Sequence, residues 1–500
     1  MATTTLTGTT GNDILNAPGS VSTLVQGLQG NDTITLALAN DEAGAGEGND
    51  NVSITRQGIV VNTIQGGDGN DTVFIRSANQ FAGYVDLGAG NDSITLGTAA
   101  FPLTNGGQIY GGEGSDTLKL EGSFVNSTVG AGSGNDLLSF SAAGSITSSL
   151  INGGKEKDTI NLSLAGGGSF ATVAGGQGSD IISLTNANFA NSIVGGGQGT
   201  DSINAFVAVA TVAGGGLNDT IRIATFNGGQ VFGDASGVTT AGTGTEGSAD
   251  GADLIVATAQ LTTAAVSIYG AGGNDTIALT AGMFTGAAGT SNVVDGGDGA
   301  DSINIFGADT TGNITGGAGL DTINWSGAAT QQAVTSLATI TGGDGADVIV
   351  ISDNAATFTA GANAGAGTVI SAGTFDALIS GASGDKLVAL TGTTFGTAQA
   401  NWSVAGNPTV FVASSLAFDG FSAAFGGFTG VGSVGVFSDG TDSVIGIYGG
   451  GAGTLFERIF IKGVDLTVTT IASGAATLTG TTFRFTIAAQ TGGGMAITFA

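Results

Sequence analysis

Sixteen aspartates, Asp13, Asp32, Asp50, Asp71, Asp92, Asp116, Asp136, Asp158, Asp180, Asp201, Asp219, Asp253, Asp275, Asp301, Asp321 and Asp347, recur at steps of 18 to 26 residues, with one longer step before Asp253. Each closes a glycine-rich turn and precedes a short apolar run, as in GGDGNDTVF (66–74), GGEGSDTLK (111–119) and GGDGADSIN (296–304). Glycine takes the positive-φ corners that residues with side chains avoid, and such corners turn successive carbonyls and amides toward one point. A carboxylate added to that lining makes an all-oxygen pocket, and its chemistry is that of a hard divalent cation.

The period indicates what must position these groups. A step near 20 residues is one coil of a solenoid. After each Asp the residues alternate, as in DTITL (32–36), DSITL (92–96), DTINL (158–162), DSINI (301–305) and DTINW (321–325). The apolar residue of such a strand points inward, which leaves Thr33, Thr35, Ser93, Thr95, Thr159, Asn161, Thr276 and Thr322 on one outer face. Stacked coils would set successive aspartates about 4.8 Å apart. Bare neighbours would then repel by roughly 1 kcal/mol per pair even in water. A divalent cation between coils reverses that sign, and oxygen-only ligands select Ca2+ over transition metals.

The recurring G-G-x-G-x-D-x-[ILV]-x pattern resembles the RTX (hemolysin-type) family of calcium-binding nonapeptides over about residues 8–350. The resemblance implies an all-β fold: a right-handed parallel β-roll or β-solenoid with calcium turns, followed by a C-terminal β-rich capping domain. It also implies export by type I secretion from a Gram-negative-type bacterium, and Ca2+ ions held by Asp carboxylates and backbone carbonyls of adjacent coils. On that reading the ligands are Asp32, Asp50, Asp71, Asp92, Asp116, Asp136, Asp180, Asp201, Asp275, Asp301, Asp321 and Asp347. Asp13, Asp158, Asp219 and Asp253 belong to altered coils. Thr9 and Thr10 replace glycines before Asp13, while GGKEKD (153–158) and GGGLND (214–219) lack the fourth-position glycine. The insertion at 234–253 is expected to protrude as a loop. Asp68, Asp298 and Asp344, at the third motif position, either add carboxylates or stay solvated; Lys155 and Lys157 are expected to be solvated. RTX rolls carry two nonapeptides per coil of about 18 residues, whereas one motif per roughly 21 recurs here, so a single row of ions is expected.

Composition supports a cation partner. The 39 acidic against 10 basic residues give a net charge of −29, which disfavours nucleic acid and anionic membranes. One divalent ion per coil would come close to cancelling it. With no Cys and no His there is no disulfide framework, thiolate or imidazole metal site, Ser-His-Asp triad or His acid/base, and no enzyme is expected. The start, MATTTLTGTTGNDIL, has neither the basic nor the apolar region of a secretory signal. No uninterrupted apolar run reaches membrane-spanning length, so no transmembrane segment is expected.

At the corner opposite the aspartates, Phe81, Phe101, Phe124, Phe170, Phe189, Phe226 and Phe284 are expected to stack as core. Near 350 the motif stops. Residues 351–385 read as an irregular Ala/Gly-rich connection and 386–500 as a β-rich cap. Within the latter, FSDGTDSVIGIYGG (437–450) and FERIFIKGVDLT (456–467) resemble the C-terminal module of type I secreted RTX proteins, which implies a role in secretion and assembly.

The expected function is a secreted calcium-dependent structural protein that self-assembles as a surface layer or extracellular matrix filament, resembling RTX-type surface-layer proteins. Its partners would be further copies of itself and cell-surface polysaccharide. The alternative is an RTX adhesin or an ice- or glycan-binding module using the outer Thr face. Phe74, Lys119, Arg222 and Ala278 interrupt that face.

Overall fold

The computed structural model describes residues 4–54, 59–60, 62–76, 80–97, 106–142, 144–185, 189–206, 209–226, 228–234, 250–258, 265–280, 292–306 and 312–326, and beyond these the backbone of strands lying between 338 and 499. The chain forms two compact units, Met1–Asp253 and Leu254–Ala500. The described residues are all-β, and no helix among them is long and apolar enough to cross a membrane.

In the first unit each coil gives one strand to each of two parallel sheets. One sheet stacks Thr33–Leu36, Asn51–Ile54, Thr72–Ile75, Ser93–Leu96, Thr117–Glu121, Leu137–Ala142, Thr159–Leu164 and Ile181–Thr185 in that order. The other stacks Thr23–Gln29, Glu42–Glu47, Thr63–Asp68, Tyr84–Ala89, Gln108–Glu113, Thr128–Ser133, Leu150–Lys155 and Thr172–Gln177. This is the parallel β-solenoid that the period implies. Its register follows from the two-residue alternation: Ile34, Val52, Val73, Ile94, Leu118, Leu138, Ile160 and Ile182 pair in one file, and all are fully buried. Val25, Ala43, Ile64, Val85, Ile109, Val129, Ile151 and Val173 form the facing file. A slip of one residue would turn each file out to water, so hydrophobic burial fixes the stacking.

The second unit repeats the scheme. Leu254–Ala257, Thr276–Leu279, Ser302–Phe306 and Thr322–Ser326 stack in parallel against Val348–Asp353 and then Lys386–Thr391. Val266–Gly272, Asn292–Asp298, Gly312–Gly319, Ala338–Gly345 and Ala377–Ser380 make its other sheet. Of the segment 351–385, expected to be an irregular connection, the end of Val348–Asp353 and the strand Ala377–Ser380 are paired in parallel, and the rest lies outside the described residues. Antiparallel strands follow, and Met495–Phe499 pairs with Lys386–Thr391, closing that edge of the parallel stack.

At the second corner Phe81, Phe124, Phe189 and Phe226 are buried core, as expected, while Phe101 and Phe284 lie outside the described residues. Phe170 departs from the expectation: it is 64% exposed with φ +52°. The inward slot of its coil belongs to Gly168, which pairs with Ile146 on one side and Phe189 on the other. The Phe189 ring leans over this glycine, and a Cβ there would strike it. Phe170 sits two residues later, where other coils place Asn126, Ser148 and Asn191, also at positive φ.

Candidate metal centre

The aspartate corner is built from the residues just before each outer-sheet strand. Positive φ recurs at the second and fourth motif positions, as at Gly67 and Gly69 (+113° and +126°), and a side chain there would run into the carbonyls of Gly46 and Gly48 in the preceding coil. Four coils hold a residue with a side chain in the same conformation: Leu28 (+85°), Glu156 (+69°), Leu217 (+73°) and Ala271 (+87°). The altered motifs GGKEKD and GGGLND thus keep the corner's shape and bear the strain.

Each Asp side chain reaches back one coil. The Asp13 N–H donates to Asp32 Oδ1, the Asp32 N–H to Asp50 Oδ1, and the same rung repeats through Asp71, Asp92, Asp116, Asp136, Asp158, Asp180, Asp201, Asp219 and Asp253, at 2.6 to 2.9 Å. In the second unit Asp275 donates to Asp301 and Asp301 to Asp321. Asp253 keeps the register despite the inserted residues before it.

Beside this ladder runs another in the opposite sense. Asn12 Oδ1 accepts from the Asn31 N–H, Asn31 from Asn49, Asn49 from Asn70, Asn70 from Asn91 and Asn91 from Ser115, at 2.7 to 2.9 Å. Reading the sequence for carboxylates alone passed over these residues; the signal was the Asn immediately before Asp in the recurring GND. The second corner has its own buried rungs: the Thr23 N–H donates to Asp41 Oδ1, the Ser127 N–H to Ser149 Oγ and the Ala171 N–H to Ser192 Oγ.

The ladder uses only one carboxylate oxygen. Oδ2 of Asp32, Asp50, Asp71, Asp92, Asp116, Asp136, Asp158, Asp180, Asp219 and Asp301 is buried and accepts no hydrogen bond. These side chains are at most 3% exposed. A Cβ added to Gly27, Gly66, Gly111, Gly153, Gly175, Gly196 or Gly214 would strike both Oδ2 of the same coil's aspartate and the first-position carbonyl of the next coil, and Gly270 and Gly296 repeat this in the second unit. Two acceptors therefore face one small space, and neither can donate to the other.

Burial is the main cause of the resulting electrostatics. It raises Asp92, Asp136 and Asp180 to about 6, Asp71, Asp116 and Asp253 to about 7, Asp158 to about 8 and Asp219 to about 9. In each case the amide donated by the preceding coil's aspartate pulls the other way, and neighbouring acidic groups push most of them further up. Asp50 and Asp301 are raised for the same reasons. Such a corner calls for a proton or a cation.

The donor set fits a hard divalent ion: oxygens only, buried, with one unsatisfied anionic atom in each of the ten coils just named. Among the described residues no three His, Cys, Asp or Glu side chains converge. An ion here would draw on single carboxylates and on backbone carbonyls, as the sequence pattern implies. The remaining expected ligands differ in placement. Asp13 is part-exposed, and its Oδ2 already accepts from the Thr9 N–H and Oγ1 at 2.5 and 2.9 Å. Asp201 is buried in the column of the first unit, and Asp275 and Asp321 are buried in that of the second. Asp68 and Asp298 are exposed, outside the corner. Asp347 and the side chain of Asp344 lie outside the described residues.

Fold and site together define a parallel β-solenoid with a column of carboxylates buried along one corner. No family model matches the chain, and no curated protein matches it. Among solved structures, the chain is similar to a hyperactive, Ca2+-dependent, β-helical antifreeze protein from an Antarctic bacterium, at 23% identity and a TM-score of 0.38, covering 60% of this chain and 85% of that one.

Proposed function

We propose that the chain is a calcium-dependent, non-enzymatic structural protein of the cell exterior, in which ions held between coils stabilise the solenoid. The observation that carries this reading is the file of buried Oδ2 atoms that accept no hydrogen bond, which at the glycine corners face a carbonyl of the next coil. At neutral pH, ionised aspartates in such a file oppose folding, and divalent ions reverse the effect. Sites of modest affinity, with Kd of about 10⁻⁴ to 10⁻³ M, would fill outside a cell and empty inside it.

Self-assembly into a surface layer or matrix filament belongs to the same proposal. The in-register geometry that adds one coil to the next also suits a coil from another copy, since parallel strands present unpaired amides and carbonyls at an open edge. The ice- or glycan-binding alternative is less well supported. The file that includes Thr33, Asn51, Thr72, Ser93, Thr117 and Thr159 is broken by Leu137 and Ile181, and the neighbouring file by Phe74, Lys119 and Arg222.

Electron microscopy and circular dichroism of the purified chain, moved from chelator into millimolar calcium, test both parts. Gain of β-structure together with ordered sheets or filaments is the expected result. Gain of β-structure in dispersed particles would overturn the assembly, and a spectrum indifferent to calcium would overturn the whole reading.

A further inference from the structure

The first motif position is not uniform. Gly27, Gly66, Gly111 and Gly153 alternate with Ala45, Leu87 and Ala131 along consecutive coils, and all three side chains are fully buried. The register makes these positions equivalent. Gly44 and Gly46, which flank Ala45, pair with Gln65 and the second-position Gly67, which flank Gly66; Asp86 and Gly88, around Leu87, pair with the same two residues. Gly130 and Gly132, around Ala131, pair with Tyr110 and Gly112, around Gly111.

At the glycine corners the place of a Cβ is where Oδ2 and the next coil's carbonyl converge. At Ala45, Leu87 and Ala131 a carbon atom occupies that place, so the aspartates of those coils, Asp50, Asp92 and Asp136, cannot bring Oδ2 to the same point. From these contacts, and resting on the calcium reading above, we propose that tight calcium binding alternates along the coils of Asp32 to Asp136. The corners of Asp32, Asp71 and Asp116 take an ion, and the intervening corners of Asp50, Asp92 and Asp136 do not. Alternation also relieves the ions themselves. Two dications one coil apart repel four times as strongly as two unit charges, and skipping a coil halves that cost by doubling the distance. From Gly153 onward, Gly175, Gly196 and Gly214 are open corners in adjacent coils, so alternation gives way there to continuous occupancy.

Titration calorimetry of the chelator-stripped full chain with calcium chloride tests this by counting tightly held ions. Ala45→Gly and Ala131→Gly should each add one ion per chain, and Gly66→Ala should remove one. Gly66→Ala also crowds the corner, so circular dichroism in calcium must show it folded; the two glycine variants test the proposal without that risk. If the wild type binds calcium and Ala45→Gly and Ala131→Gly leave the count unchanged, the alternation is overturned while the calcium reading stands. If the wild type takes up no calcium, the calcium reading itself fails, and the alternation with it.

Discussion

Replacing Asp180 by Asn should change stability in opposite directions with and without calcium. Asp180 is 1% exposed, its Oδ1 accepts from the Asp158 N–H at 2.7 Å, and its Oδ2 has no donor. An asparagine keeps the acceptor for that rung, removes the charge and offers an amide N–H toward the Gly196 carbonyl, which lies beside Gly175 in the same corner. Burial raises Asp180 from 3.8 to about 6. At pH 8 the metal-free protein therefore carries a penalty of about two pKa units, or about 3 kcal/mol. Removing it should raise the unfolding midpoint in chelator by about 6–12 °C for a unit of this size. In millimolar calcium the same substitution deletes a carboxylate ligand and should lower the midpoint. Thermal unfolding followed by circular dichroism, with wild type and variant in both buffers, reads the two signs. A shift of the same sign in both would refute the assignment of Oδ2 as the atom waiting for a cation.

The raised aspartates also set a pH dependence. Their contribution is fully present below the unfolded value of 3.8 and is lost as pH climbs through folded values of about 6 to about 9, so the metal-free protein should be more stable near pH 4.5 than at pH 8, and saturating calcium should flatten or invert that slope. Denaturant midpoints across that range in chelator check it, and a rise in stability with pH would contradict it. Leu217→Gly should stabilise the first unit by about 1 kcal/mol, because Leu217 is held at φ +73° and is 49% exposed, so strain is removed for little lost burial. An unchanged or lower denaturation midpoint would show that the Leu217 side chain makes contacts that outweigh its strain.

The sequence carried the fold because its two periods are independent and agree. Alternation within each strand set which residues face inward, and recurrence of the aspartate set where one coil ends. The same regularity placed the carboxylates of Asp32 through Asp253 in the column of the first unit and those of Asp275, Asp301 and Asp321 in the column of the second. What was not legible depended on atoms rather than residue types. A glycine-rich GND turn does not say that Oδ1 is spent on a backbone amide while Oδ2 is left over, nor that Asn31 and Asn49 run a ladder the other way. The second corner was read by counting aromatics, which put Phe170 in the core. Its phase there is set by Gly168, whose missing side chain makes room for Phe189 from the next coil, and a glycine leaves no hydrophobic signal.

The aspartate rung has a consequence for how such a molecule changes length. Its donor and acceptor lie 18 residues apart between Asp32 and Asp50, 24 between Asp92 and Asp116, and 34 between Asp219 and Asp253, yet the N···O separation stays between 2.6 and 2.7 Å. The rung measures turns, not residues. Extra sequence between two aspartates leaves the rung unchanged, and the next turn begins at the same height. Duplicating or deleting a whole turn within the first unit should shift the later coils of that unit by one constant step, so a lineage could lengthen or shorten the stack like a tape measure without redesigning the coils on either side.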